Sequence, residues 1–503
     1  MRRPLAAALS VVLLAGLAAC GSDEEPEAAP SGSASAGAPS SAPASEPEEP
    51  SEPAETSEPA EPDADLDLAL SEPREDSYYP EVGDPGVDAL HYDLDLAWDP
   101  DTDTLTGTEV LTFRATETAD RFRLDLGEPL EVTSLTLDGA EVDHEHTGKD
   151  LVVEAPVEAD GRYELTLGYE GTPEPVDAPT SRGDFDTTGF TITADHETWT
   201  MQEPFGAYSW YAVNDQPSDK ALYDFTLAVP SPWTGIANGE QTRSDDDGTT
   251  HVTEYHLAEP AASYLVTLAF GDYRKTDDEG PGGVPITYWT PRDAPPPDAG
   301  LRSMPAAMRW LERRLGPYPF DTAGILLVDS QSGMETQTMI TLGYGDYATS
   351  PAVVLHELAH QWYGDQVTPN DWRDVWMNEG MAMYLQLMWQ AEQDGVPLES
   401  YLQSIVPDER AYREEAGPPG DFDADDFAST NVYYGGALLW HSIRREVGDR
   451  AFWRAVKGWP RSQDGTSTDR ETLLAYLEQQ TGADLDATWD AWLLDYTSPP
   501  FPG

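Results

Sequence analysis

The chain has 503 residues and carries 94 acidic against 28 basic side chains, a formal net charge of −66. Its length exceeds one ordinary domain and suits two or three once tails are removed. The charge repels phosphate backbones and anionic lipid, which excludes electrostatic nucleic-acid binding. Its ordinary effect is solubility, and it also favours cationic peptides.

At the N-terminus Met1-Arg2-Arg3 precedes an apolar run over residues 5–17 and then Ala18-Ala19-Cys20-Gly21. This is the layout of a secretory signal, and it is too short to span a bilayer permanently. Cys20 is the only cysteine, so neither an intrachain disulfide nor a cysteine zinc cluster can form. Its setting resembles a bacterial lipoprotein cleavage box. The resemblance implies removal of residues 1–19 and a lipid on Cys20 that anchors the chain to the outer face of the cytoplasmic membrane. Residues 20–80 are dominated by Ser, Ala, Pro, Glu and Asp, with almost nothing to bury. They read as a disordered stalk, stiffened by proline and extended by like charge.

From residue 81 to residue 272 short alternating runs such as His91-Tyr92-Asp93-Leu94-Asp95-Leu96 are separated by turn signals such as Asn238-Gly239. They predict an antiparallel β domain. Residues 273–503 open with an extended piece, Val284 to Trp289, and then turn helical. Helices are expected over 304–315, 352–363, 381–393, 432–447 and 470–480, with Ser350 as N-cap and Pro351 in the first turn of the second.

That second helix carries His356-Glu357-Leu358-Ala359-His360. Histidines four residues apart project from one helix face, a spacing that suits one ion. A catalytic zinc takes three protein ligands, commonly two histidines and a glutamate, and keeps one position for water. Glu379, in Trp376-Met377-Asn378-Glu379-Gly380 at the start of the next apolar segment, is placed to turn back onto the first helix as the third ligand. Glu357, between the histidines but not a ligand, suits a general base for the attacking water. Trp362, Trp372 and Trp376 read as core; His144 and His146 alternate across an expected hairpin and His441 lies on a helix with no carboxylate at ligand spacing, so none of the three reads as a metal ligand.

The run His356 to Val367 followed by Trp376 to Gln386, with Trp210 to Ala221 and Gly316-Pro317-Tyr318-Pro319-Phe320 upstream, resembles the gluzincin aminopeptidases of the M1 family. The resemblance covers all but the signal and stalk. It implies a saddle-like β-rich N-terminal domain against a thermolysin-like, mainly helical catalytic domain, with one zinc per chain and peptides with a free N-terminus as substrates. It nominates Tyr433, or its neighbour Tyr434, as hydrogen-bond donor to the oxyanion. Glu335, in Ser332-Gly333-Met334-Glu335-Thr336, and Glu203, in Gln202-Glu203-Pro204, are nominated as anchors of the substrate amine. Larger relatives add a helical C-terminal domain, so a more open cleft is expected here. Endopeptidase or epoxide-hydrolase activity stands as the alternative chemistry, and a surface binding protein without catalysis as the alternative class.

Overall fold

Along the long strands Val87–Asp99, Thr104–Ala115 and Lys220–Pro230 burial alternates over much of the length, as a sheet with one covered face requires. In Val87–Asp99 the side chains of Tyr92, Leu94, Leu96 and Trp98 are buried while Asp93 and Asp95 face water. The computed structural model describes residues 66–501, Phe185 excepted, all within the compact unit Glu61–Gly503. Cys20, the signal and the stalk as far as residue 65 lie outside the described residues.

An eight-stranded sheet runs in the order Glu240–Asp246, Thr250–Ala262, Lys220–Pro230, Val87–Asp99, Thr104–Ala115, Arg162–Gly171, Leu130–Leu137, Ala140–Glu141. The expected antiparallel domain needs one correction here: Val87–Asp99 and Lys220–Pro230 pair in parallel, through His91↔Leu222 to Ala97↔Ala228. More than a hundred residues separate these strands, ample length for the crossover that a parallel pair demands. A five-stranded sheet, Thr234–Ala237, Leu268–Gly271, Thr198–Met201, Thr187–Ile192 and Val176–Asp177, completes the β-rich half with a small three-stranded sheet.

The second half starts with a further five-stranded sheet, ordered Tyr273–Glu279, Pro285–Pro291, Ala323–Val328, Ile340–Gly343, Gly333–Met334. Eight α-helices, the first inserted between its strands, accompany it among the described residues: α1 (Met304–Leu315), α2 (Pro351–His360), α3 (Trp376–Asp394), α4 (Leu398–Ala416), α5 (Thr430–Val447), α6 (Asp449–Ser462), α7 (Arg470–Thr481) and α8 (Asp486–Leu493). None is long and apolar enough to cross a membrane. A β-rich N-terminal part and a mainly helical C-terminal part is thus the architecture expected. Trp362, Trp372 and Trp376 are buried, as a core role requires.

The stalk reading fails over residues 66–80. Ala69 and Asp76 are buried, Ser71 N–H donates to Asp88 at 3.0 Å, and the Ser77 hydroxyl donates to Asp371 at 2.8 Å. Tyr79 reaches the Ala424 carbonyl at 2.8 Å. The stretch has few apolar residues, but its polar groups find partners on the body, which composition cannot reveal.

Candidate active site

Helix α2 begins as expected: the Ser350 side chain accepts the Val353 N–H at 3.4 Å and Pro351 occupies the first turn. His356 and His360 lie one turn apart with ring centroids 4.9 Å from each other. The helix ends at His360 rather than at Tyr363, because Tyr363 (φ −119°, ψ 84°) and Gly364 (φ 143°, ψ −54°) leave helical backbone. This early exit swings the Tyr363 carbonyl to 3.1 Å from Nδ1 of His360. An Nδ1–H donated there leaves Nε2 with its lone pair, the usual way a ligating imidazole is oriented. Glycine is needed at 364 both for its positive φ and because a Cβ would sit 3.3 Å from that Nδ1.

Helix α3 starts earlier than the sequence pattern indicates, at Trp376, which puts Glu379 in its first turn. The Glu379 carboxylate lies 3.1 Å from Nε2 of His356 and 3.4 Å from Nε2 of His360. The three donor atoms are mutually within 4.8 Å, and Nε2 of His360 is buried without a hydrogen-bond partner. Two imidazole nitrogens and one carboxylate oxygen converging around an unused lone pair form the donor set of a catalytic zinc.

Glu357 stands beside His360 and Glu335 in the same cluster. The edge strand Gly333–Met334 passes so close that a Cβ on Gly333 would be 2.7 Å from Oε1 of Glu357. Glu335 follows this strand, its Oε1 3.8 Å from Nδ1 of His360 and its carbonyl accepting from Gln361 Nε2 at 2.9 Å. Glu203 enters from the β-rich half; its carboxylate lies with those of Glu335 and Glu379 inside a 4.8 Å cluster. Glu203 Oε1 and Glu335 Oε1 are both buried without a hydrogen-bond partner. Tyr433, near the start of α5, lies against His356 with ring centroids 6.0 Å apart and planes at 24°. For Tyr434, burial and the charges of Tyr347, Asp408 and Tyr412, none of them a nominated ligand, raise the hydroxyl.

The structure therefore brings together seven of the eight nominated residues, Cys20 being outside the described residues. It adds Gln361, which binds the Glu335 carbonyl and also accepts from Thr338 N–H at 2.9 Å. It also adds Arg182, whose Nη1 donates to the Tyr433 hydroxyl at 2.9 Å. Gln361 was findable, being next to a ligand; Arg182 sits alone in a Thr/Ser/Gly/Asp loop with no pattern around it.

Burial lifts Glu357 to about 8 against the opposing charge of His360, and lifts Glu203 well above the carboxylate range with help from Glu335 and Glu379. Burial would raise Glu379 too, but the charge of His360 and the hydrogen bond with His356 outweigh it and hold Glu379 low. His356 is lowered by burial; for His360 burial is overcome by Glu335 and Glu379, which raise it. These directions reflect the protein's own charges, and a divalent cation among the donors pulls neighbouring carboxylates down and keeps its imidazoles neutral. A cavity of about 680 Å³ lined by residues such as Arg314, Glu392 and Arg444 shares no residue with this cluster.

Two family models match the chain: the Peptidase M1 N-terminal domain over residues 88–265 and the Peptidase family M1 domain over residues 301–492. Aminopeptidase N of Streptomyces lividans is 26% identical over 443 residues, covering 81% of this chain and 50% of that relative. Aminopeptidase 2 of Candida albicans is 24% identical over 82% of this chain and 47% of its own length. The chain thus spans about half the length of the curated relatives it matches. The M1 zinc metallopeptidase of Deinococcus radiodurans superposes with a TM-score of 0.75 at 28% identity, over 85% of this chain and 98% of that one. With both halves matched by models of one family, and a histidine, histidine and glutamate set built for the zinc that such enzymes carry, the chain belongs to peptidase family M1.

Proposed function

We propose that this protein is an aminopeptidase, releasing N-terminal residues from peptides, and that a lipid on Cys20 holds it at the outer face of the cell membrane. The observation that carries the first reading is the pair of buried carboxylate oxygens on Glu203 and Glu335 that lack a hydrogen-bond donor, beside the zinc ligand Glu379. Uncompensated buried carboxylates are costly unless a cation completes them. A substrate ammonium does so by charge-assisted hydrogen bonds and at the same time fixes which peptide bond reaches the metal. A mutant of the Deinococcus radiodurans enzyme has been solved with a Tyr-Ser-Ala substrate, and the relatives above are named aminopeptidases.

His356, His360 and Glu379 would hold zinc, which supplies Lewis-acid polarisation of a carbonyl and an acidified water. Glu357, buried beside these ligands, takes the proton of the attacking water and passes it to the departing amine. Tyr433, against His356, donates its hydroxyl to the oxygen that gains charge in the transition state. Glu203 and Glu335 hold the ammonium, and Gln361 keeps the Glu335 loop in place through its carbonyl.

The test is turnover of aminoacyl amides and short peptides by the zinc-loaded protein. Chelation must abolish activity and zinc restore it, and acetylating the substrate amine must abolish cleavage. Retained cleavage of acetylated peptides points instead to endopeptidase chemistry. The anchor reading rests on Met1 to Gly21 as a signal with a lipoprotein-like box. Radiolabelled fatty acid should enter the native chain and not the Cys20→Ala variant; equal labelling of both removes the lipid from the proposal.

A further inference from the structure

Arg182 comes from the β-rich half and Tyr433 from α5, 251 residues away, yet their side chains meet. The loop that delivers Arg182 is bound to the segment that precedes α5. Phe427 N–H donates to the Pro179 carbonyl at 2.8 Å, Thr180 Oγ1 donates to the Phe427 carbonyl at 2.8 Å, and Ser181 N–H donates to Asp426 at 3.2 Å. The guanidinium is clamped on its other side by Asp184, to which Nε donates at 3.0 Å and Nη2 also donates. Asp184 in turn accepts from the Ser332 hydroxyl at 3.2 Å, three residues before Glu335. The contact with Tyr433 is therefore built from two directions.

Its chemistry has one orientation. A guanidinium has only donors, so the phenolic oxygen of Tyr433 must accept from Nη1, and its own O–H must point elsewhere. The ring lies against His356, one of the three residues that would hold the metal. A cationic donor on the phenolic oxygen also polarises the O–H and strengthens it as a donor in turn, as hydrogen bonds in series do.

We propose that Arg182 is a positioning residue for Tyr433, fixing the direction of the phenolic proton and strengthening its hydrogen bond to the oxyanion. The role rests on the peptidase reading and adds to it a second contribution from the β-rich half, beside that of Glu203. Because the bond gains strength only when charge develops on the reacting oxygen, its loss falls on kcat and not on KM.

The experiment is a double-mutant cycle in the full zinc-loaded chain, with kcat and KM measured for one aminoacyl amide. Arg182→Ala should lower kcat by about 10- to 100-fold, less than loss of the oxyanion donor itself, with KM within about threefold. Arg182→Lys, which keeps the charge and loses the fork, should recover part of that loss. In a Tyr433→Phe background the same Arg182→Ala change should cost less than about threefold, because its target is gone. Equal losses in both backgrounds, or an effect on KM alone, overturn the proposal. Should Arg182→Ala fail to fold, Arg182→Lys and Asp184→Asn enter the same cycle, with the same non-additivity expected. Additive losses in an active enzyme sink this role alone, whereas no turnover by the unmodified protein sinks the peptidase reading and this role with it.

Discussion

Glu357 and Glu379 are buried carboxylates beside the same imidazole, yet their surroundings separate them. Glu379 meets two ring nitrogens at 3.1 and 3.4 Å, while burial lifts Glu357 to about 8 with no such bond to offset it. One is built as a ligand and the other as a proton acceptor. Glu357→Gln should therefore keep one zinc per chain by metal analysis and lose about 10²–10⁴-fold in kcat. Glu379→Gln should lose the zinc itself. Lys220 offers a test of stability at this scale. Its ammonium is fully buried, donating to the Asp365 carbonyl at 2.6 Å, and burial lowers it from 10.5 to about 7 against the opposing charges of Asp365 and Asp464. Between about pH 7 and 10.5 the unfolded chain holds a proton here that the folded chain does not, so this group's contribution to stability rises with pH across that window. Denaturant unfolding of the wild type and Lys220→Met should show the difference moving in favour of the wild type from pH 6 to pH 10. A difference that stays flat would mean that Lys220 keeps its ordinary proton affinity when folded.

At the scale of elements, the distance between α3 and α5 is set by two glycines. A Cβ on Gly380 would lie 2.6 Å from the Cα of Gly436, and one on Gly436 would lie 2.6 Å from the Cα of Gly380. Gly380 follows Glu379 and Gly436 lies one turn beyond Tyr433, so this backbone contact spaces a zinc ligand from the tyrosine. Gly380→Ala should force the helices apart, cost about 1–3 kcal/mol of stability by overpacking, and speed zinc release, measured with a chromogenic chelator. The sequence marked α1, α2, α3, α5 and α7 through apolar periodicity, and Ser350-Pro351 marked one helix start to the residue. It did not mark α4, which contains Pro407, or α6, which contains Gly458 and Pro460, or α8, only eight residues long. Proline and glycine are punctuation when read locally, and tertiary packing overrode them. The strand Ala323–Val328 was missed for a different reason: it is buried throughout, so it has no alternation to detect.

At the scale of the molecule, residues 66–80 tie the two halves together. Arg74 N–H donates to Ser218 of the β-rich half at 3.0 Å; Trp372 N–H, just before α3, donates to Asp76 at 2.7 Å. A chain beginning at residue 66 should match the parent in melting temperature and activity. One beginning at residue 81 should be less stable by a few kcal/mol, because several hydrogen bonds to carboxylates are lost together, each worth about 1.5–3 kcal/mol. Thermal unfolding of the two truncations decides between a stalk and a strap. The zinc ligands were legible in the sequence because histidines at i and i+4 and a carboxylate opening the next helix follow from helix geometry, which is local. Tyr433 and Glu203 were nominated by the resemblance, whereas the approach of Arg182 from the β-rich half and the carbonyl that orients His360 were decided only by tertiary structure. These contacts depend on where distant segments stop and cross, and no spacing along one segment encodes that.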